Sequence, residues 1–201
     1  MPNNPARPLY RPGVDFDNKA IPLTRQPLRS WFRAHWSGSP AVNFGLRPNH
    51  RFSHPNCPFP VMYAGATLSV CLWECFGDDV LGGLRAIPAS KWNGYSLSQI
   101  AIPQLNVCAV SQEPTRDAMG VDQASLFAID LTVPQEWGLA VQKHPAAFDA
   151  IKYSSRFIDQ PCLAIFDRGG MTAQLRETLV GPLSSINAAV DWLDDRKATL
   201  V

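Results

Sequence analysis

The segment Tyr63-Ala-Gly-Ala-Thr-Leu-Ser-Val-Cys-Leu-Trp-Glu74-Cys-Phe-Gly77 constrains this chain more than any other, because it reads as a helix that is apolar around most of its circumference yet carries one carboxylate. Leu68, Leu72, Cys75 and Phe76 share a face at the i, i+4, i+7, i+8 spacing, and Val70, Cys71 and Glu74 line the adjacent one. A helix apolar on most sides is buried, so Glu74 is expected to face a cleft or the interior. Pro58-Phe-Pro60 leads into a short strand at Val61-Met-Tyr63, Gly65 allows the turn into the helix, Thr67 is placed to cap it and Gly77 to stop it.

A shielded carboxylate raises its pKa or finds hydrogen bonds and a counter-charge. Two arginines set among aromatic residues lie upstream as partners: Arg33 in Trp31-Phe-Arg-Ala-His35, and Arg51 in His50-Arg-Phe-Ser-His54. A structural ion pair, or a polar group at the helix surface, is the competing reading of Glu74.

At 201 residues, with 46% hydrophobic and 17% charged side chains, the chain suits one domain with a substantial core. Its formal net charge of +1 encodes no general attraction to nucleic acid or an anionic membrane, so an anionic ligand must be met locally. No apolar run approaches the roughly 18 residues of a membrane span, and the Pro/Asn-rich N-terminus lacks the layout of a secretory signal, so a cytoplasmic protein is expected. The five cysteines include no C-x-x-C pair and read as reduced thiols. Cys71 with Cys75, and His50 and His54 with Cys57, are closely spaced, but no fourth ligand stands at zinc-site spacing and no metal is expected.

Residues 1–27 hold six prolines and read as an extended arm, wrapped on the domain or loosely ordered, ahead of a domain over 28–201. Asp78 to Asn93 carries a loop signature, with a short strand allowed at Leu84 to Ile87. Ile100 to Val110 is apolar and broken by proline. Leu126 to Leu131 reads as a buried strand, Pro134 as the first turn of a helix reaching Lys143, and Pro145 as the start of a second helix through Ile151. Cys162 to Phe166 is a strand candidate ended by a tight turn at Arg168-Gly-Gly170. Ser184 or Ser185 is placed to cap a last helix with Ile186, Ala189, Val190 and Leu193 on one face, finishing near Arg196. Helices and short strands in irregular order favour an α+β fold.

There is no Rossmann or P-loop glycine motif, no G-x-S-x-G elbow and no cysteine with an adjacent base, which leaves the dispersed set Arg33, Arg51, Tyr63, Glu74 and Ser155. The succession of Trp31-Phe-Arg33, Arg51-Phe-Ser, Val61-Met-Tyr63-Ala with Glu74 eleven residues on, and Tyr153-Ser-Ser155-Arg156 before an apolar strand resembles the RES domain family, over about residues 29 to 170. The resemblance implies a single domain with an ADP-ribosyltransferase-like core of two small packed sheets flanked by helices. It implies a toxin of a toxin–antitoxin pair that consumes NAD⁺ as substrate, passing ADP-ribose to water or phosphate, with no cofactor and with a cognate antitoxin as partner. Transfer of ADP-ribose to a protein or metabolite, and a non-catalytic nucleotide- or partner-binding domain, are the alternatives; a homo-oligomer is compatible with the sequence.

The residue types suit that chemistry. Cleavage of the nicotinamide–ribose bond builds positive charge on the sugar, which a fixed Glu74 carboxylate would stabilise; nicotinamide leaves as a neutral base, so one carboxylate is enough. Arg33 and Arg51 would bind the diphosphate in two-pronged fashion. Tyr63 would stack on nicotinamide or bond the ribose, and Ser155 would act as a hydrogen-bonding group. Many family members have proline before the site serine where this chain has Ser154, so Ser154 and Ser155 are alternatives. His35 and Arg156 are weaker candidates.

Overall fold

The structure is a computed structural model that describes residues 8–201. Strands β1 (Leu23–Gln26), β2 (Arg29–Trp36), β3 (Val61–Gly65), β5 (Tyr95–Ile102), β6 (Leu105–Ala109), β7 (Ala150–Ser154), β8 (Pro161–Phe166) and β9 (Arg176–Pro182) form one hydrogen-bonded sheet in the order β1-β6-β7-β8-β3-β2-β5-β9. A parallel pair, β4 (Ala86–Ile87) with β10 (Thr199–Leu200), stands apart. Helices α1 (Leu68–Leu81), α2 (Ala89–Asn93), α3 (Glu113–Met119), α4 (Gln123–Leu126), α5 (Thr132–Lys143), α6 (Met171–Gln174) and α7 (Asn187–Asp195) complete the described residues, a mixed α+β domain.

The large sheet is continuous at only one residue pair in its middle. β2 and β3 meet at Phe32 opposite Gly65, whereas β2 pairs with β5 over eight residues and β3 with β8 over five. A five-strand half, β1-β6-β7-β8-β3, and a three-strand half, β2-β5-β9, thus diverge from that junction, which is how one sheet in hydrogen-bond terms serves as two packed layers. Pro103-Gln104 carries the chain from β5 in one half to β6 in the other, which accounts for the proline break in an apolar run.

β3, β7 and β8 are buried on both faces. Ile151, Tyr153, Ala164 and Phe166 pack with Phe52, Trp137 and Phe148 on one side; Met62, Leu163 and Ile165 pack with Trp31 and Ile100 on the other. A third cluster joins Leu72, Phe76 and Val80 of α1 to Trp92 and to Leu183, Trp192 and Leu193 near the C-terminus. No helix among the described residues is long and apolar enough to cross a membrane.

Thr67 caps α1, its hydroxyl oxygen accepting the Val70 N–H at 3.2 Å. Gly77 does not stop the helix, which runs on to Leu81 and closes at Gly82, shortening the expected loop after Asp78. The reason for glycine at 77 is packing: a Cβ there would stand 2.6 Å from the Phe157 ring. The strand expected at Leu126 to Leu131 is absent. Asp122 caps the short α4 through the Ser125 N–H, Ile129 is 95% exposed, and the Asp130 carboxylate accepts from the N–H and hydroxyl of Thr132 to launch α5. The helix expected from Pro145 to Ile151 is also absent: Ala147 adopts φ 52°, and Ala150 and Ile151 pair with both β6 and β8. The last helix starts at Asn187, after a 3₁₀ turn over Leu183–Ser185. Ile186 occupies its cap position, and Trp192 joins Ala189 and Leu193 in the buried face while Val190 is exposed.

Of the N-terminal arm, residues 1–7 lie outside the described residues. Phe16 is buried against Trp137, and Leu23–Gln26 pair antiparallel with β6, so the sheet begins inside the stretch read as an arm.

A Cβ at Gly138 on α5 would lie 2.5 Å from the Phe52 carbonyl oxygen, a backbone atom that cannot rotate away. Gly138→Ala is expected to cost about 1–3 kcal/mol. Thermal unfolding should show this as a fall in Tm of roughly 3–10 °C.

Candidate active site

The Phe32–Gly65 junction opens a cleft of about 610 Å³ whose walls come from both halves of the sheet and from α1. Gly65 lets α1 approach: a Cβ there would stand 2.4 Å from Val70 Cγ1 and 2.9 Å from Cys71 Sγ. Resting on the junction at that distance, α1 turns Val70, Cys71 and Leu72 into the core and Glu74 into the cleft.

Glu74 is exposed to solvent at the cleft wall, with enough protein around its carboxyl to weigh against the charged form. Desolvation therefore pushes its pKa above the usual carboxylate value; the hydrogen bond from Ser155 and the charges of Arg51 and Arg156 oppose this, and Asp78 adds to it. The Ser155 hydroxyl donates to Glu74 Oε1 at 2.5 Å and accepts the Phe157 N–H at 3.2 Å. The Ser155 N–H donates to the Gln160 carbonyl, and the Gln160 side chain accepts the Thr67 hydroxyl at 2.5 Å, so the cap of α1 and the serine loop are tied through one residue. Between Ser154 and Ser155 the geometry is unequal. Ser154 ends β7 opposite Pro161, and Ser155 is the one that meets Glu74. Ser155 also lines a second cavity of about 400 Å³, on whose walls stand Ser111, Arg116 and Gln123.

Arg51 is half-buried, donating Nη1 to the carbonyls of Leu126 at 3.1 Å and Ala128 at 3.3 Å, with its guanidinium 5.2 Å from the centre of the Phe127 ring. Burial lowers its pKa, while Tyr153 and Glu74 act in the opposite direction. Arg33, on β2, donates to the Asn43 carbonyl at 3.0 Å; burial and the nearby Arg47 bring its pKa down to about 10, leaving it charged at neutral pH. Neither arginine makes a salt bridge to Glu74 among the described residues, so the structural ion pair weighed from the sequence is not what the geometry shows.

Tyr63 lines the cleft with its ring, and its hydroxyl is engaged: it accepts the Phe52 N–H at 3.0 Å and lies 3.1 Å from the Ser53 hydroxyl. Desolvation pushes its pKa up to about 12. Its oxygen thus holds the Arg51-Phe52-Ser53 segment, and the face available to a ligand is aromatic. His35 bonds the Ser39 carbonyl and the Ser98 hydroxyl and shapes one wall; Arg156 pairs with Asp78 and lies 4.3 Å from the Phe157 ring centre. The structure adds two residues that the sequence did not single out as binding groups, Arg47 and His50. His50 has its pKa lowered to about 4 by desolvation, then by Arg47 and Arg33, and so is neutral at pH 7. Both sit in the irregular segment before β3, where no periodicity marks a side chain as facing a cleft. The thiols of Cys71 and Cys75 are pushed up to about 12 by burial and are poor nucleophiles. Among the described residues, no three His, Cys, Asp or Glu side chains are grouped to hold a metal ion.

A folded-state pKa above the ordinary value means that Glu74 favours folding most below the ordinary carboxylate range, and that this contribution is lost as pH rises through the raised value. Glu74→Gln, neutral throughout and still able to accept from Ser155, is therefore expected to unfold at a higher temperature than wild type at pH 7. The gap should close as the pH falls below about 4, which paired melting curves would read.

A family model for the RES domain matches residues 22–184. A search of curated proteins finds no match to the sequence. Among solved structures, a chain from the crystal structure of the M. tuberculosis MbcT–MbcA toxin–antitoxin complex is similar in fold, with a TM-score of 0.62 at 17% identity over 88% of this chain and 93% of that one. The matched span contains the cleft, the Glu74–Ser155 pair and the arginines around them, and the chain belongs to the RES domain family.

Proposed function

We propose that this chain is a toxin-like enzyme that consumes NAD⁺, cleaving the nicotinamide–ribose bond and passing ADP-ribose to water or phosphate. The observation that carries this reading is the hydrogen bond from Ser155 to Glu74, a carboxylate on the wall of a cleft that also holds the guanidinium groups of Arg33, Arg47, Arg51 and Arg156.

As the glycosidic bond stretches, positive charge develops over the anomeric carbon and ring oxygen of the ribose, and a preorganised carboxylate beside it lowers the barrier. Ser155 fixes one oxygen of Glu74 and leaves the other free for a ribose hydroxyl or the developing cation. Nicotinamide departs as a neutral base and needs no proton, so Glu74 suffices; Asp78, the other carboxylate on the cleft wall, is paired with Arg156. Arg33 and Arg51 supply cations for the phosphates, and the Tyr63 ring a surface for stacking. NAD⁺ is the substrate in this scheme, and no bound cofactor takes part.

The likeness to a chain of a toxin–antitoxin complex supports a cognate antitoxin as partner, which in this reading acts by covering the cleft. Such a toxin would act on the cytoplasmic NAD⁺ pool.

Purified protein incubated with NAD⁺ should release nicotinamide. Glu74→Ala should slow release by about 10²–10³-fold, the usual scale for removing a group aimed at transition-state charge. A phosphorylated ADP-ribose formed only when phosphate is supplied assigns phosphorolysis, and free ADP-ribose assigns hydrolysis. Label from NAD⁺ on a protein band would instead assign transfer. Intact NAD⁺ under all conditions, or a Glu74→Ala variant as toxic to cells as wild type, would overturn the enzymatic reading.

A further inference from the structure

The unpaired guanidinium groups of the cleft fall into two stations. Among the described residues Arg33, Arg47 and Arg51 make no salt bridge, and the Arg47 side chain makes no hydrogen bond. Arg51, with Arg156, acts on Glu74. Arg33 and Arg47 act on each other and on His50 instead. The acid that offsets Arg33 is Glu177, whose carboxylate already accepts the Val42 N–H at 2.7 Å. Gathering two like charges around a desolvated imidazole is unfavourable in the free protein and is relieved when an anion enters.

Arg47 is also placed by the fold. A Cβ at Gly45 would stand 3.3 Å from Arg47 Nε, so the arginine lies across bare backbone, and Gly45 is bridged to Val61 at the start of β3 by hydrogen bonds of 3.2 and 3.1 Å. The same strand carries Tyr63, whose ring centre is 5.0 Å from that of His50. Arg47, His50 and Tyr63 are thereby referred to one rigid element, with Arg33 facing them from β2 in the other half of the sheet.

We propose that Arg47, with Arg33 and His50, forms a phosphate station where β2 and the segment before β3 both line the cleft, which takes the far phosphate of a diphosphate-linked ligand while Arg51 takes the phosphate nearer Glu74. The identity of that ligand as a nicotinamide dinucleotide rests on the function proposed above; the station itself rests on the arginines. A mononucleotide with its sugar at Glu74 reaches Arg51 only. Arg47 therefore selects for the diphosphate.

Calorimetric titration of wild type, Arg47→Gln and Arg47→Lys with ADP and with nicotinamide mononucleotide tests this. Wild type should bind ADP, and Arg47→Gln should weaken it about tenfold or more, the scale of one charge-assisted contact. Nicotinamide mononucleotide should change by less than about twofold in the same variant, because its single phosphate lies at Arg51. Arg47→Lys should fall between, keeping charge but losing the planar fork. The melting curve of Arg47→Lys should overlay wild type, and Arg47→Gln should melt no lower than wild type, since the side chain bonds nothing in the free protein and its charge is repelled by Arg33. Equal weakening of both ligands, no weakening of ADP, or no ADP binding by wild type would overturn the station. An ADP result as expected beside wild-type protein that leaves NAD⁺ intact would sink the enzymatic reading and leave the station standing.

Discussion

The close approach of α1 to Gly65 is the constraint on which the rest of the molecule depends. At that residue the two halves of the sheet share their single pairing, and the lack of a side chain lets Val70 and Cys71 press onto it. Moving the helix outward by the breadth of a methyl group would shift Glu74 relative to Ser155, whose own position is set by β7 and by the Gln160 link to the helix cap. The carboxylate is thus held by packing below and by hydrogen bonds beside it. The cleft is the space left because the sheet divides where the helix sits.

That arrangement explains why an acid is tolerated on so apolar a helix. Desolvation by the surrounding protein favours the protonated form of Glu74, and the groups that resist are each tied to a different element: Ser155 at the end of β7, Arg51 on the loop clasped by Tyr63, and Arg156 beside Phe157. Phe157 in turn fits against α1 only because residue 77 is glycine. Glycines 65 and 77 therefore do the same work at two points, bringing the helix against the sheet at its start and the serine loop against the helix further along.

Much of this was legible in the chain before any coordinates. The apolar helix around Glu74, though not its extension through Asp78 and Asp79, the Thr67 cap, the strands at Val61 and Cys162 and the turn at Gly169-Gly170 followed from periodicity and turn chemistry, and the ordered fragments around Arg33, Arg51, Glu74 and Ser155 pointed to the RES family. The failures have physical causes. Leu126 to Leu131 is apolar enough for a strand, but side-chain hydrogen bonds of Asp122 and Asp130 favour turns there, and a local competition of that kind leaves no periodic mark. Residues 145–151 look helical by composition and are claimed by strand pairing on both sides, a long-range effect. Gly77 resembled a terminator because a window of sequence cannot show the ring of Phe157, eighty residues away. Arg47 and the place of His50 in the cleft, which its spacing to His54 and Cys57 marked only as a metal-ligand pattern, are not legible because their segment has no regular structure to say which way a side chain points.

The single pairing between the halves of the sheet also bears on how they are joined. Arg33 rides on the three-strand half, while Tyr63 and, through β7, Ser155 ride on the five-strand half. With one residue pair as the hydrogen-bonded seam, the halves are held together chiefly by Trp31 and Ile100 packing against Met62, Leu163 and Ile165. A ligand that touches both Arg33 and Tyr63 would add a tie between them on the cleft side, where the backbone ladder supplies almost none.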